Sequence, residues 1–127
     1  LLDTAEVIVA DIESGPWPLA DRQFDAVLVT HYLWRPLLPQ IVASVRDGGL
    51  RIYETFADGQ QTIGRPSRPE FLLQPGELLA LCQGLRVVAY EDGALSGPER
   101  FVQRIVAVLG PARHARFSLD GPTGAAS

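Results

Sequence analysis

Apolar residues in this chain cluster in short continuous blocks separated by Gly- and Pro-rich stretches. The first block, Glu6 to Ala10 (EVIVA), has the character of a strand buried on both faces of a parallel sheet. It stops at Asp11, and the following ESGPWPLADRQ reads as a loop. Phe24 to Thr30 predicts a second buried strand. Leu37, Leu38, Ile41, Val42 and Val45 lie at helical spacing and predict an amphipathic helix over Leu37–Arg46. Asp47-Gly48-Gly49 should end that helix, because glycine accepts a left-handed turn. Leu50 to Phe56 predicts a third strand.

Residues 57–74 are polar, carry Gly59, Gly64, Pro66 and Pro69, and read as a long loop. Loops of that length are more often functional than idle. Pro75-Gly76-Glu77 opens a second helix, Glu77 to Gln83, with proline and an early carboxylate both favouring a helix start. Leu85 to Tyr90 and Arg100 to Leu109 predict two further strands. The EDGALSGPE link between them suits a hairpin, so these two should be antiparallel neighbours. From Gly110 onward no period persists. The expected organisation is a folded portion, residues 1–109, and a flexible tail, residues 110–127. The element order predicts an α/β fold with a mostly parallel sheet ending in an antiparallel strand pair.

Composition narrows the chemistry. The 127 residues suffice for one domain, and 46% hydrophobic content points to a globular core. The net charge of −4 argues against a phosphate-tracking surface, so no nucleic-acid partner is expected. No apolar run reaches bilayer length, so no membrane association is expected. The single cysteine, Cys82, can form no internal disulfide and no cysteine-based metal site, which suits a reducing, cytoplasmic setting. His31 and His114 are far apart in sequence, so no metal site is expected. Motifs for a hydrolase elbow, a zinc protease, a P-loop or a dinucleotide fold are absent from the sequence.

Ligands of open α/β sheets sit at the carboxyl ends of parallel strands. At three such ends the chain changes from apolar to reactive side chains: Asp11-Ile12-Glu13, Thr30-His31-Tyr32 and Tyr53-Glu54-Thr55-Phe56. Each has a plain structural reading beside a functional one. Asp11 is either a turn cap or a ligand contact. His31 is either a structural imidazole or an acid–base group. Tyr32 and Trp34 are either core aromatics or walls of a cleft. Arg35 lies just before Pro36, at a helix entrance or at an anionic substrate. Glu54 faces solvent, an arginine or a ligand. Arg65 and Arg68 are either solvated charges or clamps for an anion.

The order of these pieces resembles the C-terminal part of a class I S-adenosylmethionine-dependent methyltransferase, a Rossmann-like fold. VIVADIE looks like the strand ending in the acidic residue that bonds the adenine amino group. FDAVLVTHYL looks like the fourth strand, beside the methionine portion of the cofactor. LLPQIVASVRDGGLRIYETF looks like the next helix, turn and strand. PGELLAL, LRVVAYEDG and ERFVQRIVAVL look like the last helix and the antiparallel sixth and seventh strands. YLWRPLLP, YETF and FLLQPGELL are similar to a bacterial subgroup related to tellurite-resistance-type methyltransferases.

The resemblance implies S-adenosylmethionine as cofactor, with Asp11, Ile12, Thr30 and His31 as contacts. His31 becomes the candidate base. Tyr32, Trp34, Arg35, Tyr53, Glu54, Phe56 and Arg65 become candidates for binding a small-molecule methyl acceptor.

The family's glycine-rich turn and ribose-binding acid have no counterpart in this sequence. The family's strand order, 3-2-1-4-5-7-6, would leave Glu6–Ala10 as an orphan and one edge of Phe24–Thr30 open. The absence of methionine and this missing portion together predict a fragment of a longer protein, inactive by itself. An open edge predicts a homodimer, formed through that edge or by exchange of the first strand. Two other functions fit the same residues: a non-catalytic half-Rossmann interaction module, and an α/β domain that holds another nucleotide through Asp11.

Overall fold

The computed structural model describes residues 6–110, 116 and 118–120. Its framework is a four-stranded sheet, with β1 (Phe24–Thr30), β2 (Val45–Phe56), β3 (Arg86–Leu95) and β4 (Arg100–Val108) in the order β1-β2-β4-β3. Two short helices, α1 (Leu38–Ala43) and α2 (Glu77–Leu81), complete the regular structure with 3-10 turns at Arg35–Leu37, Gln60–Thr62 and Pro69–Phe71. The chain is α/β, but the sheet is not mostly parallel. Only β1 and β2 run parallel, while β2–β4 and β3–β4 are antiparallel.

That correction has a local cause. Glu6–Ala10 is not a strand: it forms no ladder, and Val7 and Val9 are 84% and 94% exposed. A strand is stable only against a neighbour, and this segment has none. The segment is thus the orphan that the family's strand order left it, and the sheet keeps a single parallel pair. The expected tail lies largely outside the described residues, as does His114.

The expected helix over Leu37–Arg46 is shorter, and Val45 already belongs to β2. The Asp47-Gly48-Gly49 segment bulges inside that strand. Phe24 pairs with Val45 while Ala26 pairs with Leu50, so β2 carries the surplus residues. Gly48 supplies a φ of +81°, and a Cβ on Gly49 would lie 2.8 Å from the Asp25 carbonyl oxygen. Glycine is needed here to pass one strand closely by another, rather than to stop a helix.

Both helices pack on one face of the sheet. Tyr53, Ile105 and Ala107 point into that layer and meet Leu33, Leu73, Leu78 and Cys82. Arg51 points the same way and is buried, donating to the Val42 carbonyl at 3.0 Å with Nη1 4.0 Å from Cys82 Sγ. The C-terminal ends of α1 and α2 thus converge on its guanidinium, where the helix dipoles favour positive charge.

Two buried glutamines fasten the long loop. Gln103 Oε1 accepts from the Leu78 amide (2.8 Å) and its Nε2 donates to the Gln74 carbonyl (3.0 Å). Gln60 Oε1 accepts from the Phe101 amide and its Nε2 donates to the Arg65 carbonyl, each at 2.9 Å. Buried amides are tolerated when their donors and acceptors find partners, and these do.

Candidate functional site

The carboxyl ends of β1 and β2 lie side by side, with Thr30 opposite Glu54. The His31 amide donates to the Glu54 carbonyl (2.9 Å), the last tie before the chain turns away. His31 turns it with a φ of +53°, in the left-handed region that non-glycine residues rarely occupy. Its imidazole is exposed and stacks on Phe56, with ring centroids 5.4 Å apart and planes inclined by 26°. Thr30 is exposed beside it.

Tyr32 joins this end to the N-terminal loop. Its hydroxyl donates to Glu13 Oε2 (2.9 Å), and its carbonyl accepts from the Tyr53 hydroxyl (2.6 Å). Burial, reinforced by the Glu13 carboxylate, holds the Tyr32 phenol well above its ordinary value. Burial likewise pushes the Tyr53 phenol up to about 12. Both remain neutral donors at ordinary pH.

Asp11 caps the turn that carries Glu13. Its Oδ1 accepts from the Glu13 and Ser14 amides (3.1 and 3.2 Å), and its Oδ2 accepts from the Ser14 hydroxyl. The Ser14 hydroxyl and the two amides hold this carboxyl below its usual range. Beside the turn, Ile12, Trp17, Leu19, Val29, Tyr32 and Ile41 help to line an apolar cavity of ≈ 350 Å³. Glu13 closes the first of the three strand ends marked in the sequence, whereas Trp17 was not singled out, although a tryptophan flanked by two prolines marks a rigid loop that can present a ring.

The remaining candidates separate. Trp34 is half-buried and opens the 3-10 turn at Arg35–Leu37. Arg35 turns toward α2: its Nε and Nη2 meet both carboxylate oxygens of Glu77 (2.7 and 2.8 Å), and it also donates to the Glu70 and Leu72 carbonyls. This fork-on-fork geometry holds the Glu77 carboxyl below its usual range. Tyr53 is fully buried beneath the strand ends. Glu54 lies 3.4 Å from Arg104, which also pairs with Glu91. Arg65 is exposed on the long loop, while Arg68 pairs with Glu70 (2.6 Å) and sits over the Phe71 ring.

The structure therefore gathers Asp11, Ile12, Thr30, His31, Tyr32, Glu54 and Phe56 around one end of the parallel pair. It sends Arg35 and Tyr53 into supporting contacts and leaves Arg65 on the loop. Among the described residues, no group of three His, Cys, Asp or Glu side chains is arranged to hold a metal. No helix among them is long and apolar enough to cross a membrane.

No protein-family model matches this chain. No curated protein matches it either. Among solved structures, it is similar to a mutant of the 16S rRNA (adenine(1408)-N(1))-methyltransferase with cosubstrate SAM from Catenulisporales acidiphilia. The identity is 18% and the TM-score 0.49, over 80% of this chain and 57% of that one. The chain thus spans little more than half the length of that protein, and a likeness this slight carries no function across.

Proposed function

We propose that this chain contributes to S-adenosylmethionine-dependent methyl transfer onto a small-molecule acceptor, as the C-terminal part of a Rossmann-like catalytic domain. The observation that carries this reading is the strand order β1-β2-β4-β3, with antiparallel β4 inserted between β2 and β3. It coincides with the 4-5-7-6 portion that the sequence resemblance implies. Polar and aromatic side chains then gather at the carboxyl end of the parallel pair, where an open α/β sheet holds ligands.

The residues suit the base end of the cofactor. The apolar cavity beside Asp11 accommodates a flat ring between Ile12, Trp17 and Tyr32. Asp11 Oδ2 takes one hydrogen bond, from Ser14, and retains a lone pair for an amino group. When bound, the cofactor supplies a methyl group on a positively charged sulfur. Thr30 and His31 would border that portion. The His31 imidazole, steadied by Phe56, would take the proton of an acceptor that must lose one. Tyr32, Trp34 and Phe56 would wall the cleft and exclude water, and Arg65 would meet an anionic acceptor group. Arg35 and Tyr53 would act through the residues they position. The net charge of −4 favours a small molecule over nucleic acid, and a reducing cytoplasm suits the buried, unpaired Cys82.

Titration with S-adenosylhomocysteine, using the longest natural polypeptide that contains this chain, tests the reading. Saturable binding weakened about tenfold by Asp11→Ala supports it, and absence of binding defeats it. In the same protein, His31→Ala should flatten the acid limb of the pH–rate profile; an unchanged profile removes the base role. A second reading, a non-catalytic interaction module, is favoured by one observation, the uncovered face of the sheet.

A further inference from the structure

We infer that Glu13 is a positioning residue: its hydrogen bond from Tyr32 is a clasp that holds the Asp11 turn against the end of β1, and so fixes the span between the base end and the methyl end of the cofactor site. The inference rests on the methyltransferase reading for the identity of the ligand, and on the geometry alone for the clasp. Residues 6–22 lie outside the sheet, and none of them joins a ladder. Their own bonds are local: the Gly15 amide donates to the Asp11 carbonyl (2.9 Å), and Arg22 pairs with Glu6 (3.1 Å). The hydrogen bond that crosses to the strands runs from the Tyr32 hydroxyl to Glu13 Oε2 (2.9 Å), over a separation of 19 residues.

Both ends of that bond are braced. On the strand side, the Tyr32 carbonyl accepts from the buried Tyr53 hydroxyl (2.6 Å), and the His31 amide is tied to the Glu54 carbonyl (2.9 Å). The Tyr32 ring therefore springs from a fixed backbone. On the loop side, the Glu13 amide donates to Asp11 Oδ1 (3.1 Å). A path of hydrogen bonds, Tyr53 to Tyr32 to Glu13 to Asp11, thus runs from the core to the carboxylate proposed for the amino group of the base. Tyr32 follows directly on Thr30 and His31, which are proposed to border the methyl group. One side chain therefore ties the two ends of the site together. Ile12, Trp17 and Leu19 line the same cavity, but apolar contact is non-directional and fixes no spacing. A hydrogen bond has a preferred length and angle, and a misplacement of about 1 Å is costly to a reaction that depends on alignment.

Three variants of the longest natural polypeptide that contains this chain test it. Tyr32→Phe keeps the ring and removes the hydroxyl. Glu13→Ala removes the acceptor. Glu13→Gln removes the charge and keeps an acceptor oxygen. Tyr32→Phe and Glu13→Ala should each bind S-adenosylhomocysteine about fivefold more weakly than wild type. The double variant should bind no more weakly than either, because both remove the same bond. Glu13→Gln should stay within about twofold of wild type. Hydrogen exchange read by mass spectrometry reports the clasp without ligand: amides of residues 11–19 should exchange faster in Tyr32→Phe than in wild type. Glu13 is exposed and phenylalanine fills the place of Tyr32, so folding is not at risk, and circular dichroism checks it. Wild-type affinity in Tyr32→Phe and Glu13→Ala, additive losses in the double variant, a Glu13→Gln as weak as Glu13→Ala, or unchanged exchange would each overturn the clasp and leave the methyltransferase reading standing. A wild type that binds no S-adenosylhomocysteine would defeat that reading, and the positioning role with it.

Discussion

The two faces of this sheet are built from the same strands and differ in almost every physical respect. On one, Tyr53, Ile105 and Ala107 are sealed under α1 and α2. On the other, Ile52 and Val106, each next in sequence to a core residue, remain half-buried. Burial here depends on what covers the strand, and not on the hydrophobicity of its residues. The apolar blocks of the sequence report strands buried on both faces. The described residues cover only one of those faces.

The sharpest break in this comparison comes from neighbouring residues of β4. Ile105→Ala should cost about 3 kcal/mol in urea denaturation at low protein concentration, by loss of packing and formation of a cavity. Val106→Ala should cost under about 1 kcal/mol under the same conditions. Equal losses would mean that the second face is covered as well as the first.

Alkaline pH should reach the covered face through Tyr53. Its phenol, raised from 10.0 to about 12, stays protonated in the folded chain where the unfolded chain has begun to ionise. Its contribution is complete below pH 10 and is lost as the pH rises to 12. The expected loss is about 2 kcal/mol, and Tyr53→Phe should reduce that slope in denaturation curves taken at successive pH values. An unchanged slope would place the phenol in water.

Gln103→Leu should cost about 2 kcal/mol, because it strands the Leu78 amide and the Gln74 carbonyl in a buried site. Thermal unfolding measures it, and a neutral result would mean that water replaces the amide.

Glu77 gives a smaller effect. Arg35 holds its carboxyl below the ordinary 4.5, so the pair's contribution is present above that pH and is lost as pH falls through the lowered value. Partial exposure screens the pair, leaving about 1 kcal/mol. Glu77→Gln should therefore be less stable than wild type at pH 7, with the difference shrinking as the pH falls below 4.5. A constant difference would assign the effect to packing.

These contrasts also explain how much was legible in advance. β1, β4, α2 and the antiparallel hairpin follow from blocks of apolar residues and from turn chemistry, both of which act over short distances. The start of β2 was concealed because the helical spacing of Leu37 to Val45 overlaps a strand that begins at Val45. Glu6–Ala10 has the composition of a strand, but strand formation is decided by a neighbour that composition does not reveal. The cluster at the strand ends was readable as a group. The fate of its members was not. Arg35 meets Glu77 across 42 residues, and Tyr53 meets a carbonyl across 21. No local pattern encodes such partners. The buried glutamines left no signal either, since their role lies wholly in long-range hydrogen bonds.

The β2–β4 pairing bears on how the protein emerges from the ribosome. Glu54 and Arg104, opposite each other in the sheet, are separated by 50 residues of chain. β1 and β2 can pair early, but the second edge of β2 must wait while the loop, α2 and β3 are translated. Throughout that interval the nascent chain displays an unpaired central strand, and it is in that window that a holdase chaperone would have most to protect.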